Sequence, residues 1–159
     1  MRQINEIFFF FRINSVTDFK SKLRSGIVPL ITSAQQLSDP ATHPAAMVNI
    51  AFSHAGLTTI GAPVDILDGG ASFNGGQAAQ ASTLQDITPI EDHWVPAFLN
   101  GSGLHGVFLV ASDTVAKLDA QVSNIKNILG DSISEVYNLQ GQMRPGAEMG
   151  HERKFLFLY

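Results

Sequence analysis

Glu6-Ile7-Phe8-Phe9-Phe10-Phe11-Arg12-Ile13 is the stretch on which the fold turns. Successive side chains of a strand point to opposite faces, so this run puts large aromatic rings on both sides of one strand. A strand of that kind needs cover on both faces. Gly106-Val107-Phe108-Leu109-Val110-Ala111 carries the same signal, being short and apolar throughout. Downstream of the first run, Ser15 can cap a helix starting at Val16, whose positions Val16, Phe19, Leu23 and Ile27 keep helical spacing. Gly26 and Pro29 leave the end of that helix open. Asp39 to Pro44 holds loop chemistry, and Met47 to Phe52 reads as a second strand.

The second half repeats the order. After Gly106 to Ala111, Ser112 or Asp113 is expected to cap a helix with the stripe Val115, Leu118, Val122, Ile125 and Leu129. Gly130 stands where a left-handed cap is wanted. Ser132 to Leu139 reads as a fourth strand with one irregular step, and Gly141 to Gly150 as a loop. Between the halves, residues 53–103 form a Gly-, Ala- and Pro-rich insertion with short helices expected at His54 to Ile60 and Gly75 to Leu84. Two strand–helix–strand units predict an α+β, ferredoxin-like fold of the dimeric α/β barrel type: an antiparallel sheet with its helices packed on one face. The other face then needs a partner, because exposed apolar patches beyond about 600 Å² are uncommon on monomers.

Composition sets the outer bounds. The 159 residues, 45% hydrophobic and 15% charged, predict one folded domain and exclude a disordered chain. A net charge of −4 argues against nucleic acid as a partner. The absence of cysteine removes disulfides, thiolate nucleophiles and iron–sulfur clusters. The apolar run from Ile7 to Phe11 is too short for a membrane span of about 20 residues and is no signal peptide. As written, the chain is expected to be cytoplasmic.

A search for reactive constellations yields no catalytic, cofactor-binding or metal-binding residue. His43, His54, His93, His105 and His151 show no helical metal-pair spacing, and His105 and His93 read as structural. Asp65-Ile66-Leu67-Asp68-Gly69-Gly70 lacks calcium-loop spacing and reads as a solvated turn. Gly101-Ser102-Gly103 is neither a phosphate loop nor a nucleophile elbow. Ser53 and His54 are neighbours on one element and cannot face each other as a dyad.

Longer stretches carry a resemblance. Glu6 to Phe11, Ile27 to Ala34, Met47 to Ser53, Gly56-Leu57-Thr58, Phe73 with Gly76-Gln77-Ala78, and Trp94 to Phe98 stand in a familiar order. His105 to Asp113 (HGVFLVASD) and Leu139 to Glu152 (LQGQMRPGAEMGHE) are the strongest pieces. Together they resemble the N-terminal half of fungal dye-decolorising (DyP-type) haem peroxidases. The resemblance implies two ferredoxin-like halves, of which this is the first. It also implies a second half that carries haem b and covers the first sheet. The full enzyme would oxidise dyes and phenolic compounds with hydrogen peroxide.

Near the end the pattern departs. In the family, a segment like Gly150-His151-Glu152 leads into Gly-x-x-Asp-Gly, whose aspartate is the distal acid–base. Here the chain reads Arg153-Lys154-Phe155-Leu156-Phe157-Leu158-Tyr159, with no aspartate after Gly150. The family's proximal histidine and distal arginine likewise have no counterpart. The expected organisation is thus a domain over 1–152 and a divergent tail over 153–159, a catalytically incomplete N-terminal fragment of a parent that could be secreted. No haem is expected to be bound specifically by the chain alone. Its expected partner is the missing C-terminal half or, alternatively, a second copy docked through the apolar sheet face. The tail reads either as a terminal edge strand or, preferred here, as unselected sequence.

Overall fold

The computed structural model describes residues 5–99 and 103–143, together with the backbone of 155–158. The aromatic run becomes strand β1 (Asn5–Ile13), which pairs antiparallel with both β3 (Gly106–Ser112) and β4 (Ile133–Met143). β2 (Ala46–Phe52) lies outside β3, so the expected four-stranded antiparallel sheet has the order β2-β3-β1-β4. The backbone of Phe155–Leu158 adds β5 on the far side of β4. Of the two readings of the tail, the edge strand is the one the backbone adopts.

The helices α1 (Val16–Lys22) and α6 (Val115–Leu129) cover one face, as expected. On β1 the inward positions are Ile7, Phe9, Phe11 and Ile13, which meet Phe108 and Val110 of β3 and Val48 of β2. Phe19, Ile27, Leu118, Ile125 and Leu129 descend onto them, and Phe11, Phe19, Ile27 and Leu129 are fully buried. Each such ring or branched chain contributes about 1.5–3 kcal/mol when taken out of water.

Two expectations about helix caps are corrected. Ser112 does not cap α6, because it ends β3 fully buried and its hydroxyl donates to the Ala45 carbonyl. Asp113 does not cap it either: it pairs with Lys117 Nζ at 2.9 Å, and Thr114 is the cap, its hydroxyl accepting from the Lys117 N–H. Ser15 occupies the N-cap position of α1, yet its side chain makes no capping bond. Beyond α1 the chain winds on through a π turn (Leu23–Ile27) and a 3₁₀ turn (Val28–Leu30). Gly26 lies inside the π turn, which settles the helix end left open by the sequence; a Cβ there would come within 2.5 Å of Ile128 Cγ2, so glycine lets the π turn approach α6.

The insertion holds α3 (His54–Thr59), close to expectation. It is preceded in the chain by a short α2 (Ala34–Ser38) closed by a Ser33/Gln36 capping box. The helix expected over Gly75 to Leu84 is broken into α5 (Ala71–Gly75) and a 3₁₀ turn at Ala78–Gln80, because Gly76 takes a φ of +73°. Asp65 lies in the single turn of α4 (Val64–Leu67) and is exposed with Asp68, as a solvated acidic segment. The irregular step in the fourth strand is a bulge: Phe10 pairs with Tyr137 and Phe11 with Glu135, leaving Val136 as the extra residue. Among the described residues, no helix is long and apolar enough to cross a membrane.

Candidate functional site

Alternation along β1 sends Glu6, Phe8, Phe10 and Arg12 to the face opposite α1 and α6. Val107, Leu109 and Ala111 of β3 and Tyr137, Leu139 and Gly141 of β4 stand beside them in register. The insertion covers one end of this face. Phe98 of its Pro96–Phe98 turn sits edge-on to Phe10 at 5.1 Å and to Tyr137 at 5.4 Å.

At the other end lies Glu6, only 8% exposed between Ala111 and Gly141. A Cβ on Gly141 would come within 2.8 Å of Glu6 Oε1, so the carboxylate lies across a glycine. Its oxygens keep some contact with solvent and take no hydrogen bond or ion pair from another described residue. Burial raises this carboxyl above its ordinary value. Arg12, exposed at the far end of the same strand face, is the complementary charge. β2 and β3 contain no charged residue, and Glu135 of β4 pairs with inward-facing Phe11. Glu6 and Arg12 are thus the only charged side chains that β1–β4 place on this face. Neither was singled out from the sequence, although the parity of β1 already sets them beside Phe8 and Phe10.

Three of the four described histidines make contacts within the fold. His105 Nδ1 accepts from the Ile13 N–H at 3.0 Å, and its backbone N–H donates to the Phe11 carbonyl at 2.9 Å. Its own carbonyl accepts from the Ser53 N–H at 3.1 Å. Burial first, and then the Arg12 charge, hold His105 below its ordinary pKa, as a neutral acceptor. The Ser53 hydroxyl donates to the Leu104 carbonyl and accepts from the Gly56 N–H as the cap of α3. His54 turns edge-on to Phe73 at 5.8 Å, and His43 Nε2 lies 2.9 Å from the Leu37 carbonyl oxygen. His93 is exposed. Gly101-Ser102 and Gly150-His151-Glu152 lie outside the described residues.

Between α6 and β4 runs a cavity of about 270 Å³, floored by Ile7, Phe9 and Val122 and rimmed by Lys126, Asn138 and Gln140. Lys126 is already engaged, 2.7 Å from Glu135 Oε2 and 4.9 Å above the Phe9 ring. Among the described residues, no group of three or more His, Asp or Glu is placed to hold a metal ion.

Residues 1–145 match the DyP dimeric alpha+beta barrel domain. The chain belongs to the dye-decolorising peroxidase family. Peroxidase 2 of Mycetinis scorodonius is 49% identical over 152 residues, covering 96% of this chain and 29% of the relative. A dye-decolorizing peroxidase of Mycena epipterygia is 46% identical, over 96% of this chain and 28% of its own length. A solved decolorizing peroxidase from Auricularia auricula-judae superposes with a TM-score of 0.82 at 41% identity, over 95% of this chain and 33% of that one. The chain therefore spans less than a third of the length of the curated relatives it matches. Members of this family are haem enzymes. The described residues of this chain do not fit that group: no described histidine lines the cavity, and His105, whose Nδ1 accepts from the Ile13 N–H, keeps its ring proton on Nε2 and has no lone pair left for iron.

Proposed function

We propose that this chain is the non-catalytic sheet half of a DyP-type peroxidase, a protein that oxidises dyes and phenolic compounds with hydrogen peroxide. In this reading it supplies a folded scaffold and a joining surface. The haem, its axial ligand and the distal acid–base belong to the part of the family's length that the chain does not span. The bond from the Ile13 N–H to His105 Nδ1 carries the reading: with Nδ1 accepting, the neutral ring holds its proton on Nε2 and offers no nitrogen lone pair to iron. The joining surface is the helix-free face of the sheet, where half-buried Phe10, Val107, Leu109, Tyr137 and Leu139 gather.

Haemin titration of the purified chain, followed by peroxide-dependent dye oxidation, tests this. Turnover should not exceed that of the same haemin free in solution. One-to-one haem binding, with turnover that disappears on replacing a single histidine by alanine while the fold is kept, would overturn it.

A further inference from the structure

His105 is where the 53–103 insertion is fastened to the sheet. The β1–β3 ladder ends at Phe11 and Gly106. One residue before Gly106, His105 carries it a step further. Its N–H donates to the Phe11 carbonyl at 2.9 Å, and its ring Nδ1 accepts from the Ile13 N–H at 3.0 Å. The other stem of the insertion closes on the same place. The Ser53 N–H donates to the His105 carbonyl at 3.1 Å, and the Ser53 hydroxyl donates to the Leu104 carbonyl at 2.8 Å. α3 then passes so close that a Cβ on Gly56 would fall 1.8 Å from that His105 carbonyl oxygen. Upstream in the same insertion, Phe98 rests on Phe10 and Tyr137.

All of these bonds but one join groups that do not titrate near neutral pH. The exception needs a neutral ring, because an imidazolium carries a proton on both nitrogens. A proton on Nδ1 would set two N–H donors against each other and leave the Ile13 donor without its acceptor. The surrounding elements offer a charged ring no relief. Their charged and titratable groups are Glu6 and Arg12 on β1, Asp18, Lys20 and Lys22 on α1, His54 on α3 and Glu135 on β4; β2 and β3 have none. Glu6 stands at the opposite end of β1, Asp18 is exposed, Lys20 donates to the Ile60 carbonyl, and Glu135 is paired with Lys126. Burial and then the Arg12 charge both disfavour the imidazolium.

We propose that His105 is an acid-sensitive latch: protonation of its ring breaks the bond from the Ile13 N–H and frees both stems of the insertion from the end of β1, lifting Phe98 off Phe10 and Tyr137.

Amide hydrogen exchange by mass spectrometry on the full 159-residue chain tests this. Protection factors remove the intrinsic pH dependence of exchange. Opening gains one proton, so the opened population should rise by up to about tenfold per pH unit below the ordinary histidine value of 6.5, levelling off below the lowered folded value. Peptides holding Ile13, Ser53 to Ile60 and Trp94 to Leu99 should lose protection together in that window, while α6 keeps its own. His105→Asn offers a carbonyl oxygen in place of Nδ1 and takes up no proton, so it should keep the protection at pH 7 and lose the pH dependence. Arg12→Gln removes a charge that opposes protonation, so the rise should level off at a higher pH. His54→Asn should leave the profile unchanged. A wild-type profile without pH dependence, the same dependence in His105→Asn, or loosening at Ile13 with the insertion still protected would overturn the proposal. Arg12 is exposed, so its variant decides even where His105→Asn fails to fold: an unmoved window would also overturn it.

Discussion

At the scale of single residues, His105 and Glu6 make opposite demands on pH. The fold uses His105 as a neutral acceptor, so the unfolded chain takes up the proton first as pH falls below the ordinary histidine value of 6.5. Stability from this residue is complete above 6.5 and is lost as pH falls through its lowered folded value. Urea unfolding at pH 7 and pH 5 should show this slope in the wild type and a smaller one in His105→Asn. Glu6 runs the other way. Its folded value lies above the ordinary 4.5, so the stability it contributes is complete below 4.5 and declines as pH climbs through the raised value. Gly56 is a steric case: a Cβ there would fall 1.8 Å from the His105 carbonyl oxygen. Gly56→Ala should cost about 1–3 kcal/mol, or more where backbone cannot yield, read as a lowered melting temperature. The parity of β1 made Glu6 and Arg12 legible in the sequence. The role of His105 was not legible in detail, because its acceptor bond joins residues 92 positions apart.

At the scale of elements, the strands and the long helix follow from hydrophobic period, while their ends follow from contacts. Helix α6 presents Leu118, Ile125 and Leu129 to the core as its spacing dictates, yet Val115, the first member of the stripe, stays 54% exposed in the first turn. The two caps separate sharply. Thr114→Ala should destabilise by about 1 kcal/mol in chemical denaturation, whereas Ser15→Ala should change little, since only the Thr114 hydroxyl holds a helical N–H. Caps are hard to place from sequence here because Ser112, Asp113 and Thr114 are all capping residues, and burial removes the first while an ion pair claims the second. Strand β5 gives a third prediction. Its four residues pair with β4 from Gln140 to Met143, so deleting 153–159 should lower the melting temperature. An unchanged value would return the tail to the reading of unselected sequence.

At the scale of the whole molecule, the core on the helix side is continuous and the opposite face is the open question that the fold poses. Phe11 touches Phe19, Phe52 and Phe108, so Phe11→Ala should cost about 3–5 kcal/mol and unfold a chain of this size near physiological temperature, measured by calorimetry. The sequence by itself determined the α+β class, the two strand–helix–strand units, the need for cover on both faces of β1 and the family. Each rests on short-range periodicity or on the order of whole segments, which survive without knowledge of the contacts. Tertiary structure alone decided that Phe98 of the insertion returns to Phe10, that Gly26 serves helix packing, and that the His105 ring is held by the backbone of β1. It also decided that Glu6 and Arg12 are the sole charges on one apolar face of β1–β4. Those outcomes depend on which distant residues share a surface, and burial there decides whether a side chain acts as a cap, a ligand or a bond acceptor.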